Sequence, residues 1–247
     1  MVVRLAGMTE ATGTTSPCSE FERAELKDGR LTARLCRVVE ALSVNPAASF
    51  PKAMPSEAEL EGVYRLVRNE KVTFDRVVSP HVAATVERAS AHETVLVLHD
   101  TTEFRFKGET HRSGLGRVGQ CGQGFLGHLS LVLASDGSRE PLGVVATQTW
   151  TRQSKSVTQR RYAGELTDQE ARIASGRESE RWGKGVELAE AAVAGRSQLV
   201  HVMDSEGDNY ELMTALVGEQ RRFVIRLGQG GAARSSPGQA DGPTHRA

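Results

Sequence analysis

Two aspartates stand at the ends of short apolar runs in this 247-residue chain. Asp100 closes the run TVLVLHD and Asp204 closes QLVHVMD. A carboxylate at the end of a buried strand lies in the crevice where open α/β sheets bind ligands. Because carboxylate oxygens suit hard divalent cations, the spacing predicts that both residues belong to a metal site. Taken alone, Asp100 could instead cap a turn with Thr101 and Thr102.

The acids that follow Asp204 resemble a calcium-binding loop only in their spacing. Asp204, Glu206 and Asp208 alternate as in such a loop, but its sixth position is Asn209 and its twelfth is Ala215. An EF-hand requires Gly and Glu at those two positions, so this class is excluded. We interpret Asp208 as a helix N-cap rather than a metal ligand.

A glycine motif in the middle of the chain lacks the context that its chemistry needs. Gly114, Gly116 and Gly119 match G-x-G-x-x-G, which binds dinucleotides where it joins a strand to a helix. Here the motif leads into another apolar run that is typical of a strand. The sequence therefore does not favour a dinucleotide site.

The elements that must position the two aspartates differ between the two parts of the chain. Apolar residues recur at helical spacing over residues 31–42, 60–67 and 74–85, with Asp28 as a plausible cap of the first segment. Ser56 and Glu59 form a capping-box signature before the second. Residues 21–92 are therefore expected to be all-helical. Residues 1–20 lack such periodicity, and we expect them to be disordered.

The period changes from Thr94 onward, where short runs rich in Val and Leu alternate with turn residues. Strands are predicted in TVLVLHD, GHLSLVLAS and PLGVVATQTW. A helix in ESERWGKGVELAEAAVAG, the strand QLVHVMD, a helix in NYELMTALVGE and the strand RRFVIRL follow. This alternation indicates an α/β region over residues 93–227. Residues 228–247 contain no Leu, Ile, Val or aromatic residue, so we expect a disordered tail.

The composition of the chain says more about its cellular environment than about its function. The net charge is zero, so any DNA-binding surface must be local. Cys18, Cys36 and Cys121 are odd in number and widely spaced, which argues against a disulfide framework and a zinc site and fits a reducing cytoplasm. No signal-peptide pattern and no apolar run of about 20 residues is present, so no membrane association is expected.

Several blocks, in order, resemble the DDE transposases of the insertion-sequence-four group. LKDGRLTARLCRVVEALSVNPAASFPKA and EGVYRLVRNEKVTFDRVVSPH are similar to the family's N-terminal DNA-binding segment. LVLHDTTEF and VMDSEGDNYELM are similar to the blocks that carry its first two catalytic aspartates. LGHLSLVL and ESERWGKG are similar to the strand and helix between them. The resemblance covers about residues 21–227.

This resemblance implies an α/β fold in which a ribonuclease-H-like mixed sheet with flanking helices follows a small all-α DNA-binding domain. It assigns Asp100 and Asp204 as catalytic metal ligands, supported by Thr101 and Thr102, for two magnesium or manganese ions. The implied partner is double-stranded DNA at transposon ends, bound by a homodimer. The family's third acid, a Glu in a Y-x-x-R…E…K pattern, has no match after Leu227. We therefore expect a truncated transposase whose incomplete catalytic domain cleaves DNA weakly or not at all.

Basic residues of the helical region are the expected DNA contacts. They are Arg30, Arg34, Arg37, Lys52, Arg65 and Arg68. Interspersed glutamates keep open the alternative of a merely solvated charged face. Two other functions also remain open. One is a non-catalytic DNA-binding protein or inhibitor of transposition. The other is a metal-dependent phosphoesterase that completes its site with Glu103 or Glu206.

Overall fold

The structure is a computed structural model that describes residues 16–108, 112–119, 122–152, 162–165, 167, 169–170 and 178–228. Its α-helices are α1 (Gly29–Val44), α2 (Phe50–Ala53), α3 (Glu57–Val67), α4 (Phe74–Ala89), α5 (Glu180–Val193) and α6 (Tyr210–Gly218). The strands are β1 (Thr94–Phe106), β2 (Gly116–Val118), β3 (Gly122–Ala134), β4 (Pro141–Trp150), β5 (Gln198–Met203) and β6 (Arg222–Ile225). Two short 3-10 helices span Pro17–Glu20 and Ser205–Gly207.

Side-chain caps fix the starts of the first helices, as the sequence predicts. The Asp28 carboxylate accepts a hydrogen bond from the Arg30 N–H at 2.9 Å at the start of α1. The Ser56 hydroxyl accepts one from the Glu59 N–H at 3.2 Å at the start of α3. These contacts satisfy amides that have no partner within the helix. The helices then bury a shared core, composed of Ala24, Leu26, Leu35, Val38, Met54, Val63 and Leu66.

The segment before α1 differs from the expectation in two ways. Residues 16–20, which we expected to be disordered, form the 3-10 helix Pro17–Glu20 and its cap. The cysteine expectation was also wrong for one pair, because Cys18 and Cys36 form a disulfide with their Cα atoms 4.7 Å apart. The spacing of the two cysteines in the sequence did not predict this bond, because they come together only when Pro17–Glu20 folds back onto α1. Residues 1–15, Cys121 and the tail beyond Gly228 lie outside the described residues.

The six strands in the described part of the chain form one mixed sheet. Its order is β2-β3-β1-β5-β6, with β4 also paired to β3. β3 runs antiparallel to β1, β2 and β4, whereas β5 is parallel to both β1 and β6. The first four strands therefore pair antiparallel around β3. The last two strands, β5 and β6, join the sheet in parallel, after helices α5 and α6 respectively.

Helices α4, α5 and α6 cover one face of this sheet. Alternate residues of β1 point toward them, and Val95, Val97 and His99 are buried while the residues between are half-buried. The core beneath α4 and α5 includes Val86, Ala89, Val132, Val145, Ala189, Val193 and Leu199. The last helix of the expected helical region thus packs on the sheet.

Two local differences affect the candidate site. Asp100 does not end a strand, because β1 continues to Phe106 in its pairing with β3. The N-cap of α6 is Asn209, whose side chain accepts hydrogen bonds from two amides of the first turn, so our interpretation of Asp208 as the cap was wrong. The Asp208 carboxylate instead accepts a hydrogen bond from the Gly228 N–H at 2.8 Å. Within the described residues, no helix is long and apolar enough to span a bilayer.

Candidate functional site

The strand register places the two predicted metal ligands side by side. The parallel pairing of β1 with β5 ends at His99 opposite Met203, and Asp100 and Asp204 are the next residues on the two strands. Neighbouring strands lie about 5 Å apart, so the two aspartates are close neighbours just past the end of the pairing. Because His99 and Met203 point toward the helices, alternation directs both aspartates to the opposite face of the sheet.

Both carboxylates retain capacity for a cation. Oδ1 of Asp100 accepts the Thr101 N–H at 2.8 Å, and Oδ1 of Asp204 accepts the Glu206 N–H at 2.9 Å. Oδ2 of Asp204 lies 3.6 Å from the Arg226 guanidinium, which is itself mostly exposed. The two-carboxylate donor set fits a hard divalent ion. Among the described residues, however, no group of three or more His, Cys, Asp or Glu side chains is arranged to hold a metal.

The two acids considered as a third ligand are each held by arginine. Glu103 pairs with Arg105 at 2.5 Å and with Arg152 at 3.4 Å. The hydrogen bond from Arg105 lowers the pKa of Glu103 most strongly, against the effect of burial. Glu206 pairs with Arg181 at 2.7 Å. In this arrangement neither carboxylate is free to complete the aspartate pair.

A chain of buried histidines lies on the other side of β1 and β5 from the aspartates. Nε2 of His99 is 2.9 Å from Nδ1 of His201, Nδ1 of His99 is 3.0 Å from the Ser130 hydroxyl, and Nε2 of His201 is 3.2 Å from Glu190. An ionised Glu190 requires His201 to donate from Nε2. His99 then donates to His201, and Ser130 donates to His99. One neutral tautomer of each histidine therefore satisfies every contact in the chain.

A third histidine joins this cluster through Thr101. The Thr101 hydroxyl oxygen is 2.9 Å from Nδ1 of His128, whose ring stacks on His99 with centroids 5.8 Å apart. Burial lowers the pKa of His99 to about 3, with further lowering by His201 and then His128. Burial also lowers the pKa of His128 to about 4, with Arg181 contributing. These histidines are thus neutral at ordinary pH.

This histidine cluster was not predicted from the sequence, although the sequence contains a signal for it. His99, His201 and His128 occupy inward positions in the alternation of three predicted strands, where apolar residues are usual. Such positions indicate buried polar groups that need partners. The partners themselves come from α5 and β3, which pattern analysis could not bring into contact with them. Of the two predicted supporting residues, Thr101 contacts the cluster, and Thr102 is exposed.

Comparison with known proteins concerns chiefly the helical region. Residues 18–72 match the family model described as transposase DNA-binding. The match supports a DNA-binding transposase and falls on the segment predicted to bind DNA. A solved structure entitled "Crystal structure of the Mos1 Strand Transfer Complex" is 11% identical, with a TM-score of 0.27. That alignment covers 92% of this chain and 63% of the other.

All six predicted DNA contacts lie within the matched segment, but the structure separates them into groups. Arg30, Lys52 and Arg68 are exposed, and no described acid pairs with them. Arg37 and Arg65 form ion pairs with glutamates of α3, at 3.6 Å and 2.5 Å respectively. Arg34 is half-buried against α3, and its Nε atom is buried without a described partner. The six predicted DNA contacts are therefore not equally available to phosphate.

Proposed function

We propose that this chain is a DDE transposase of the insertion-sequence-four group with an impaired catalytic site. Residues 18–72 would bind transposon-end DNA, and Asp100 and Asp204 would hold divalent metal on a ribonuclease-H-like sheet. The observation that carries the proposal is the register of β1 and β5, which brings the two aspartates together on one face. The antiparallel β4-β3-β1 strands followed by parallel β5 and β6 agree with that fold.

The chain's own residues would act by positioning charge. Asp100 and Asp204 would hold magnesium or manganese, which supplies activation of water and stabilisation of the leaving oxygen in phosphodiester cleavage. Exposed cations of the helical region would fix the duplex through its phosphates. Cleavage is expected to be weak, because no described third carboxylate completes the pair. A homodimer on DNA is part of the proposal, following the family resemblance.

A non-catalytic DNA-binding role is the second candidate. It is favoured by the lack of a third carboxylate beside the aspartate pair in the described residues, where Glu103 and Glu206 are each paired with arginine. Such a protein could occupy transposon ends without cleaving them and so inhibit transposition. The two candidates differ in whether the aspartate pair binds metal and supports any cleavage.

The proposal is tested with labelled duplex DNA, Mn²⁺ and a supercoiled plasmid. We expect salt-sensitive duplex binding, together with Mn²⁺ binding that Asp100→Asn and Asp204→Asn each abolish. The control Asp136→Asn, which alters an exposed turn, should retain both. Lack of duplex binding would refute the DNA-binding role. Mn²⁺ binding unaffected by the two substitutions would refute the metal site, and rapid Asp100-dependent nicking would show that the site is not impaired.

A further inference from the structure

We propose that Arg181 is a positioning residue that holds the strand bearing Asp100 and the turn bearing Asp204 in their metal-binding arrangement. This inference rests on the proposed function, because it concerns the same aspartate pair. Arg181 lies in the first turn of α5, on the helix-covered side of the sheet, and its side chain is only 14% exposed. It would act through neighbouring residues and would not contact the metal itself.

The guanidinium of Arg181 connects three separate segments of chain. Its Nε donates to the Thr101 hydroxyl oxygen at 2.7 Å, and its Nη2 donates to Glu206 at 2.7 Å. Its Nη1 donates to the Glu178 carbonyl at 2.6 Å, which fixes the group against its own helix start. The backbone is also anchored, since the Arg181 carbonyl accepts a hydrogen bond from Gln148 at 2.9 Å.

Each of the two distant contacts reaches a residue coupled to one aspartate. Thr101 follows Asp100 directly in β1, and its N–H is bonded to the Asp100 carboxylate. Glu206 lies in the 3-10 turn that Asp204 caps, and its N–H is bonded to the Asp204 carboxylate. Arg181 therefore links the backbone groups that orient the two carboxylates. The β1–β5 pairing itself ends one residue before the two aspartates, at His99 opposite Met203.

The chemistry of arginine suits this link better than that of lysine. A planar guanidinium presents several N–H donors in a fixed fork, whereas an ammonium group is a compact charge on a flexible stem. The Arg181 fork is further fixed by the indole of Trp182, whose ring centroid lies 5.2 Å from its Cζ atom. A lysine at this position could keep the charge near Glu206 but could not reproduce both fixed donations.

A purely electrostatic role predicts the opposite effect on metal binding. Removing Arg181 would leave the negative charge of the Glu206 carboxylate, which is 64% exposed, without its cationic partner near the aspartates. If Arg181 only neutralises Glu206, its loss should strengthen cation binding. If it positions the aspartates, its loss should weaken binding, as loss of groups that orient metal ligands typically does, by about 10- to 100-fold.

The test compares Mn²⁺ affinity by calorimetric titration in the full chain, with the electron paramagnetic resonance signal of bound Mn²⁺ as a second readout. We expect Arg181→Ala to weaken affinity by at least about tenfold. Arg181→Lys, which guards against misfolding of the alanine variant, should recover only part of it. Glu206→Gln should retain most affinity, because the amide oxygen still accepts from Arg181. The matched control is Lys184→Ala, which removes a cation one turn further along α5 that pairs with Glu187.

The outcomes separate this inference from the proposed function. If Asp100→Asn abolishes Mn²⁺ binding while Arg181→Ala and Arg181→Lys leave it unchanged or stronger, the positioning role is refuted and the metal site stands. If the unmodified chain binds no Mn²⁺, or Asp100→Asn has no effect, the metal site itself is refuted, and the positioning role with it. Weaker binding with an altered resonance signal at an unchanged melting temperature supports positioning.

Discussion

His99 and His201 lie on neighbouring parallel strands, with Nε2 of the first 2.9 Å from Nδ1 of the second. Both rings are buried beneath α5, and the chain of hydrogen bonds ends at Glu190 on that helix. When His201 donates from Nε2 to Glu190, both rings must be neutral, because a proton on Nδ1 of His201 would face the N–H of His99. This polar core lies directly behind the aspartate pair.

Acid should therefore destabilise the fold. The pKa of His99 is lowered to about 3 and that of His128 to about 4, so the unfolded chain, with ordinary values near 6.5, binds protons first as pH falls. The free energy of unfolding should be highest above about pH 6.5. Below it, the loss is roughly 1.4 kcal/mol per pH unit for each histidine until the folded-state pKa is reached. Urea unfolding measured between pH 8 and pH 5 tests this.

Histidine variants locate the origin of that pH dependence. His99→Gln should reduce the slope of unfolding free energy against pH by about one histidine's share, even if it lowers stability overall. His92→Gln serves as the control, because His92 lies outside the buried cluster. Equal slopes for the unmodified chain and His99→Gln would show that His99 is not responsible.

Two glycines of α5 should respond oppositely to alanine. A Cβ atom on Gly185 would lie 2.9 Å from Nε2 of His128 and 3.0 Å from Nδ1 of His99, so Gly185→Ala should destabilise by about 1–3 kcal/mol. At Gly183 the nearest atom would be 3.9 Å away, on Leu212. Gly183→Ala should be neutral or stabilise by up to about 1 kcal/mol through helix propensity. The melting temperatures of the two variants test this prediction, and equal changes in both would contradict the close packing around Gly185.

Reduction of the disulfide between Cys18 and Cys36 should destabilise the helical region. The bond closes a loop with a sequence separation of 18, for which chain entropy suggests about 3 kcal/mol. The melting temperature of the unmodified chain should fall when a reductant is added. Cys36→Ser should melt at the lower temperature with or without reductant. A reductant effect that persists in Cys36→Ser would exclude this bond as its cause.

The exposed cations of the helical region should dominate DNA affinity. Replacing Arg30, Lys52 and Arg68 together by Ala should weaken duplex binding at least about tenfold and make its salt dependence shallower, because phosphate contacts are lost. The comparison variant replaces Arg37 and Arg65, whose ion pairs with Glu59 and Glu61 compete with phosphate. We expect a smaller loss there, measured by fluorescence anisotropy over a salt series. Unchanged affinity in the triple variant would remove these residues from the interface.

Local sequence signals determined the elements of this protein. Caps at Asp28 and Ser56 and the 3.6-residue apolar period predicted helices α1 and α3, while runs of Val and Leu predicted five of the six described strands, all except β2. These signals act between residues close in the chain, so pattern alone contains them. The same signals placed Asp100 and Asp204 after buried strand positions, and the prediction of a shared site depends on that placement.

Tertiary structure alone decided which side chains meet. The disulfide of Cys18, the pair of Glu103 with Arg152 and the contacts of Arg181 join residues distant in sequence, and they arise from how separate elements fold onto one another. Pairing with β3 likewise carried β1 past Asp100. The sequence determined that Asp100 and Asp204 follow buried strand positions. Packing of α5 decided which residues meet behind them, because long-range contacts depend on the register and approach of whole elements, which local periodicity does not encode.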